Sequence, residues 1–297
     1  METVSFGENF KSPIVLCLGF FDCMHLGHVQ LLNRAKQMAK NGAKVALFTF
    51  CNNHFQTLNK PTKLIYTFAE RLSLYQSLGV QVVIGAHFDQ KFMSLSGSEF
   101  LDKLKNYNLQ GVVCGEDYTC GRNLMNATQV QSYLKAVCDV QIEKLVNCGS
   151  QKVSSTLVRK LLAQNDVEQA NKFLSQPFFF EGEVVAGRHV GRNIGFPTAN
   201  VALSEEKLAP VGVYAGVVQV DEQRYKAVIN VGNTPTFCQT TAKVEAHLLH
   251  FCGDLYGKNV KISLIKFLRG IQKFSDGEQL ARQLEKDVEV ADDQIRT

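Results

Sequence analysis

The chain has 297 residues, 45% hydrophobic and 20% charged, which is ordinary globular material and long enough for two cores. A net charge of +4 without a dense lysine and arginine stripe argues against a nucleic-acid partner. Nine cysteines without a CxxC pair, no basic leader and no apolar run near about 18 residues point to reduced thiols in a cytoplasmic protein with no membrane span.

The first strand-like run, 13–21, empties into Asp22-Cys23-Met24-His25-Leu26-Gly27-His28, and a helical pattern follows at once. Two imidazoles three apart at a strand-to-helix turn suit an anionic nucleotide tail. The turn's free N–H groups and the positive end of the helix dipole face such a group, and imidazole donors can follow charge as it moves onto a leaving phosphate. A helix cap beside a half-buried histidine is the plainer alternative, and a metal site lacks a third ligand at a suitable spacing. Leu31, Leu32, Ala35, Met38 and Ala39 recur at helical spacing, Asn41-Gly42 ends the helix, and 43–50 reads as the next buried parallel strand.

Strand-like runs at 80–86 and 109–116 alternate with helical ones at 67–78 and 97–108, the pattern of a parallel sheet. Ser154, Ser155 and Thr156 then open a helix over 157–174 that carries Arg159 one turn further on. Hydroxyls there cap the helix or bind phosphate oxygens, and Arg159 reaches the same anion. The joint falls near Leu174–Pro177, giving domains 1–175 and 176–297. Beyond it, β-patterned segments at 178–187, 212–220, 225–232, 243–251 and 258–268 predict a small closed barrel, and 277–293 a final helix.

In the second domain Gly187, Gly191, Arg192 and Gly195 form a basic glycine-rich loop suited to a triphosphate, or else a plain β-turn with a polar edge. Pro197-Thr198-Ala199-Asn200 follows, with two neutral oxygen ligands two residues apart on an extended segment, which a hydrated Mg²⁺ accepts. Glu245 lies among apolar residues of a strand; it is a candidate base for activating an alcohol, or a half-exposed strand glutamate.

The H-x-G-H and SSTxxR motifs together resemble the nucleotidylyltransferase superfamily. The string 179–201 (FFEGEVVAGRHVGRNIGFPTANV), with GVYAG, AVINVGNTPTF, VEAHLLHF and GDLYG, resembles the riboflavin kinase module. A chain carrying both, from about Ile14 to about Ala291, is similar to the bacterial bifunctional riboflavin kinase/FAD synthetase family. The resemblance implies a Rossmann-like α/β nucleotidylyltransferase domain followed by a riboflavin-kinase β-barrel with a C-terminal helix. It implies phosphorylation of riboflavin to FMN by Mg–ATP, then adenylylation of FMN to FAD with release of pyrophosphate. Partners would be small molecules alone, with the oligomeric state left open. Gly19, Phe20, Asp22, His25, Gly27, His28, Ser154, Ser155, Thr156 and Arg159 would bind ATP in the first domain, with His25 and His28 catalytic. Asn52, Asp117 and Tyr118 would meet the flavin. Gly187, Arg192, Gly195, Pro197, Thr198 and Asn200 would bind ATP in the kinase, Thr198 and Asn200 through the metal. Glu245 would be the base, and Arg269 would lie near nucleotide and flavin. The chain departs from the family pattern at Cys23 (usually glycine), at Cys51-Asn52-Asn53-His54 (usually an acid, proline, histidine and proline, so that the histidine comes one step late), at Cys120 (usually aromatic) and at His250 (usually aspartate). Two other readings stay open: one working domain, with a weakened adenylyltransferase, or a non-catalytic flavin-binding protein.

Overall fold

A computed structural model describes residues 1–149, 151–187, 195–236 and 239–295, with backbone alone at 233–236 and 239–242. The chain divides into two compact units, Met1–Ser155 and Thr156–Thr297.

The first unit runs β1 (Glu2–Ser5), β2 (Ile14–Leu18), α1 (Leu26–Met38), β3 (Lys44–Phe50), α2 (His54–Thr57), α3 (Phe68–Ser77), β4 (Val82–Ala86), α4 (Gln90–Met93), α5 (Gly97–Leu104) and β5 (Leu109–Gly115). A two-stranded ribbon follows, β6 (Thr119–Cys120) and β7 (Met125–Asn126). Then come α6 (Ala127–Leu134), β8 (Asp139–Glu143) and a second ribbon, β9 (Asn147–Cys148) with β10 (Gln151–Lys152). Six strands form one parallel sheet in the order β1-β4-β3-β2-β5-β8. Central strands are buried on both faces, as the unbroken apolar runs IVLCL and VALF require. Leu31, Leu32 and Ala35 are the residues of α1 that bury, the stripe expected from their spacing. β1 is an addition to the sequence reading: Glu2–Ser5 pairs with Val82–Gly85 and extends the sheet by one edge strand.

In the second unit the helix expected over 157–174 is two helices, α7 (Ser155–Ala163) and α8 (Val167–Phe173). Asn165 adopts φ 61°, which ends the first, and Asp166 caps the second by accepting from Gln169 N–H at 3.2 Å. The barrel strands are β11 (Phe179–Val185), β12 (Ala199–Ala202), β13 (Gly212–Val220), β14 (Gln223–Thr236), β15 (Gln239–Leu248) and β16 (Asn259–Arg269). They close in the order β11-β12-β15-β14-β13-β16, every pair antiparallel. The last helix, α9 (Gly277–Gln294), lays Ala291 and Ile295 beyond its end on Val213, Ala215, Val217 and Val228. α8 packs on β16: the Asn171 amide donates to Leu264 O and accepts from Phe178 N–H, at 2.9 and 2.8 Å.

Candidate active sites

From β2 the chain moves through β3 to β4, then returns to the other side of β2 for β5 and β8. The crevice of such a sheet opens where the order reverses, between the carboxyl ends of β2 and β5. The loops that leave those two ends are 19–25 and 116–118.

The loop after β2 holds two non-glycine residues in the left-handed region, Phe21 at φ 52° and Met24 at φ 46°. Strain of that kind persists only where neighbours over-determine it. Here the Tyr75 hydroxyl donates to Phe21 O at 2.8 Å and the Thr49 hydroxyl to Phe20 O at 2.7 Å. Arg71, fully buried, donates to Thr49 Oγ1 and Phe50 O and lies 5.0 Å from the Phe20 ring centre. His25 is the N-cap of α1, its Nδ1 accepting from His28 N–H at 3.3 Å, and the two rings stack at 3.7 Å. Burial pushes His25 down to about 4, opposed by Asp117 and helped by Lys152. His28 is pushed well down by burial and then by His25, and its enclosed Nδ1 has no hydrogen-bond partner. Both imidazoles are therefore neutral near pH 7, each with one N–H to give.

Two cavities flank this loop. The smaller, about 140 Å³, is lined by His25, Gly27, His28, Lys144, Lys152 and Ser154, among others. The larger, about 610 Å³, is walled by Phe20, Phe50, His54, Phe88, Phe92 and Tyr118. Gly19, Asp117 and Tyr118 line both, so the two abut there. A donor-rich end joined to an aromatic end accommodates a flat ring carrying an anionic tail. Asp117 is paired with Lys152 at 2.7 Å. Burial holds Tyr118 well above its ordinary range, and neighbouring Cys120 and Cys114 add to the effect.

In the second unit, register builds the site. Asn200 on β12 stands opposite Glu245 on β15, and Glu245 opposite Asn230 on β14, so the three share one face across three strands. Asn230 Nδ2 donates to Glu245 Oε2 at 3.1 Å, and Lys243 Nζ lies 2.6 Å from Oε1. The Glu245 side chain is 25% exposed, a partly desolvated carboxylate with both oxygens engaged. Alongside, a cleft of about 550 Å³ is lined by Pro197, Thr198, Asn200, Leu248, Asp254 and Tyr256, among others. Gly187 borders Asn200 so closely that a Cβ there would come within 2.4 Å of its amide. Asn200 Nδ2 donates to Thr198 O at 3.2 Å, which leaves Oδ1 as the atom for a cation.

The FAD synthetase family model matches residues 8–157 and the Riboflavin kinase model residues 174–295. A bifunctional riboflavin kinase/FMN adenylyltransferase from Bacillus subtilis is 36% identical over 296 residues, covering 96% of this chain and 92% of its own. The chain belongs to the bifunctional riboflavin kinase/FMN adenylyltransferase family. A relative of the same name from Escherichia coli K12 is 31% identical over 92% of this chain and 90% of its own. A crystal structure from Streptococcus pneumoniae, named a macrolide-efflux protein, superposes with a TM-score of 0.88 at 31% identity, covering 99% of this chain and all of the other.

Against that family pattern the residues sort as follows. Gly19, His25, Gly27, His28 and Ser154 line the small cavity together. Ser155 lies with its Oγ 3.6 Å from the Cys23 thiol, so the cysteine at the usual glycine position touches the second motif. Thr156 and Arg159 stand in the first turns of α7, exposed and half-buried. Two residues expected at the nucleotide do not line the small cavity. Phe20 walls the aromatic cavity, and Asp22 is fully buried beneath the loop, its Oδ2 accepting from Ile65 N–H, where a carboxylate cannot meet a phosphate. Asn52, expected on the flavin, spends its amide on both backbone groups of Phe88, at 3.0 and 2.8 Å, and so fixes that ring in the cavity wall. Tyr118 and Asp117 line the aromatic cavity.

His54 lines the aromatic cavity, 4.2 Å from the Phe20 ring centre, although it comes one position late, while Asn53 caps α2 by accepting from Phe55 N–H. Cys120 lines the same cavity in place of an aromatic. Phe50, Phe88, Phe92 and Phe100 form walls that no motif announced; their signal was only aromatic density between 48 and 100. In the barrel unit Gly187, Pro197, Thr198 and Asn200 come together, and Gly195 is exposed with φ 88°. Arg192 lies outside the described residues. Arg269, expected near the ligands, donates through Nε and NH2 to Asp287 of α9 at 2.8–3.2 Å, and that carboxylate also accepts from Gln283. The pair is nearly buried, so it holds α9 to the end of β16. Lys243, Asn230 and His247 are the residues around Glu245 that sequence reading missed. His250 is exposed and turned toward Asp292.

Proposed function

We propose that the barrel unit phosphorylates riboflavin with ATP to give FMN, and that the parallel-sheet unit adenylylates FMN with ATP to give FAD and pyrophosphate. Membership of the family over nearly the whole chain supports both steps. The observation that carries the second is the pair of abutting cavities, one aromatic and one rich in donors, joined at Gly19, Asp117 and Tyr118. The isoalloxazine ring lies among Phe20, Phe50, His54, Phe88 and Tyr118, and the FMN phosphate points toward His25 and His28. One oxygen of that phosphate bonds to the α-phosphorus of ATP as the bond to pyrophosphate breaks. The nucleophile is already an anion, so no base is needed. The neutral histidines give hydrogen bonds to the charge that grows on the leaving oxygens. Ser154, Ser155, Thr156 and Arg159 hold the phosphates.

In the kinase, Glu245 takes the proton of the ribityl 5′-hydroxyl as that oxygen bonds to the γ-phosphorus and ADP departs. Asn230 orients the carboxylate. Thr198 and Asn200 fit Mg²⁺ because they offer neutral oxygens, with Asn200 Nδ2 already turned away. Magnesium held there would screen the phosphate charge. The division of chemistry at about Ser175, with nucleotidyl transfer before it and kinase after it, belongs to the same proposal. So does a cytoplasmic setting, supported by eight described cysteines that are all free thiols.

A weakened adenylyltransferase gains little from the departures, since His54 and the surrounding phenylalanines keep the cavity aromatic although Cys120 lines it in place of a ring. Among the described residues no helix is long and apolar enough to cross a membrane. The test is chromatography of products from riboflavin, ATP and Mg²⁺. Sequential FMN and FAD are expected; FMN alone would leave only the kinase, and neither product would overturn both assignments.

A further inference from the structure

β12 begins at Ala199, and its pairing with β15 runs from Ala199↔Ala246 to Ala202↔Lys243. One step before Ala199 the ladder would set Thr198 opposite His247. The next residue, Pro197, has no N–H with which to extend it. Backbone pairing therefore stops just short of the two cleft residues Pro197 and Thr198. A side chain takes over at that point. His247 Nδ1 lies 2.8 Å from Pro197 O, and its ring meets Phe196 edge-on at 5.3 Å. A carbonyl only accepts, so in this contact Nδ1 carries the proton.

His247 leaves β15 two residues after Glu245 and hence on the same face. We propose that His247 is a positioning residue of the kinase site, its Nδ1–H bond prolonging the β12–β15 ladder past the proline so that Thr198 and Asn200 share one frame with Glu245. The inference rests on the assignment of Thr198 and Asn200 to Mg–ATP made above. The restraints act in series: His247 holds Pro197 O, Asn200 Nδ2 holds Thr198 O at 3.2 Å, and the Asn200 side chain lies against the bare α-carbon of Gly187. Residues 196–198 form no strand of their own, so the His247 contact is a cross-strand link beyond the last backbone pair of β12 and β15, Ala199↔Ala246, on the Thr198 side. Phosphoryl transfer depends on this register because it depends on placement more than on covalent help from the protein.

Two near-isosteres separate positioning from bulk. The side-chain nitrogen of asparagine falls where Nδ1 stands in histidine, and that of glutamine where Nε2 stands. In the full-length protein, His247→Gln should lower kcat/KM for Mg–ATP in riboflavin phosphorylation about tenfold, the effect of losing one hydrogen bond, chiefly through KM. His247→Asn should stay within about twofold of wild type by the same reasoning. FAD formation from supplied FMN should be equal in all three proteins, and melting followed by circular dichroism should coincide for the two variants. Thr198→Ala is run beside them. If Thr198→Ala uses Mg–ATP like wild type, the assignment of the cleft falls and this inference with it. If Thr198→Ala is impaired while His247→Gln is not, or while the Asn and Gln variants are equally slow, the cleft stands and the role of His247 is overturned. Should His247→Gln fail to fold, an impaired but folded His247→Asn would overturn the role equally.

Discussion

Glu245 is held at both oxygens, by Asn230 and by Lys243, so its carboxylate has one orientation before substrate arrives. Glu245→Gln keeps the shape and removes the proton acceptor. FMN formation should fall roughly 10²–10⁴-fold in kcat while FAD formation from supplied FMN continues, as product chromatography would show. His28→Ala should do the converse, slowing FAD synthesis about 10²-fold with FMN formation unchanged, the scale of losing one preorganised donor. The histidine pair also sets an acid limit on stability. His25 titrates at about 4 in the folded chain against an ordinary 6.5, so on acidification the unfolded chain binds the proton first. Its contribution is complete above 6.5 and is lost as pH falls toward 4, at about 1.4 kcal/mol per pH unit, and His28 acts in the same sense. Urea midpoints of the first unit should therefore drop between pH 7 and pH 5, and His25→Asn should flatten that drop. His25, His28, Thr198, Asn200 and Glu245 were legible because polar residues interrupt apolar runs at strand ends or in strands. Asn230, Lys243 and His247 were not, since only cross-strand register shows what a strand residue faces.

At the scale of elements, the loop after β2 owes its left-handed turns to groups on β3 and α3. Tyr75→Phe would leave the carbonyl of Phe21 without its buried donor, a loss of about 1–2 kcal/mol. Chemical denaturation should register that loss, and kcat/KM for FAD synthesis should fall while riboflavin phosphorylation does not. The β6–β7 ribbon depends on Gly121, whose φ is 71° and whose missing Cβ would stand 2.0 Å from the nitrogen of Gly97. Central strands and long helices could be read from the chain because their apolar periods are unbroken. β1 could not: Glu2–Ser5 reads ETVS, with a single aliphatic side chain, and is a strand only because β4 offers it an edge. β12 is four residues long behind a proline, too short for its alternation to register. The single helix expected over 157–174 failed at Asn165, whose small polar side chain tolerates the turn that splits it.

The whole molecule divides by packing at Ser155, where composition placed the joint near Ser175. The family matches stop at 157 and resume at 174, so α7 and α8 fall almost wholly between them. They are not idle: Asn171 bonds to both Leu264 O and Phe178 N–H, and Val167, Ala170 and Phe173 are buried. A barrel fragment that begins at Thr156 should accordingly melt higher than one that begins at Gln176, with riboflavin kinase activity in the first at least equal to the second. Equal melting would mean that the helices add nothing to the barrel. The edge strand β1 carries a consequence of another kind, one of timing. It leaves the ribosome roughly 80 residues ahead of β4, an interval of about 4–16 s at usual rates of synthesis. Of the strands in its sheet β1 thus waits longest for a partner, and the sheet is completed by threading its oldest strand onto its own later edge.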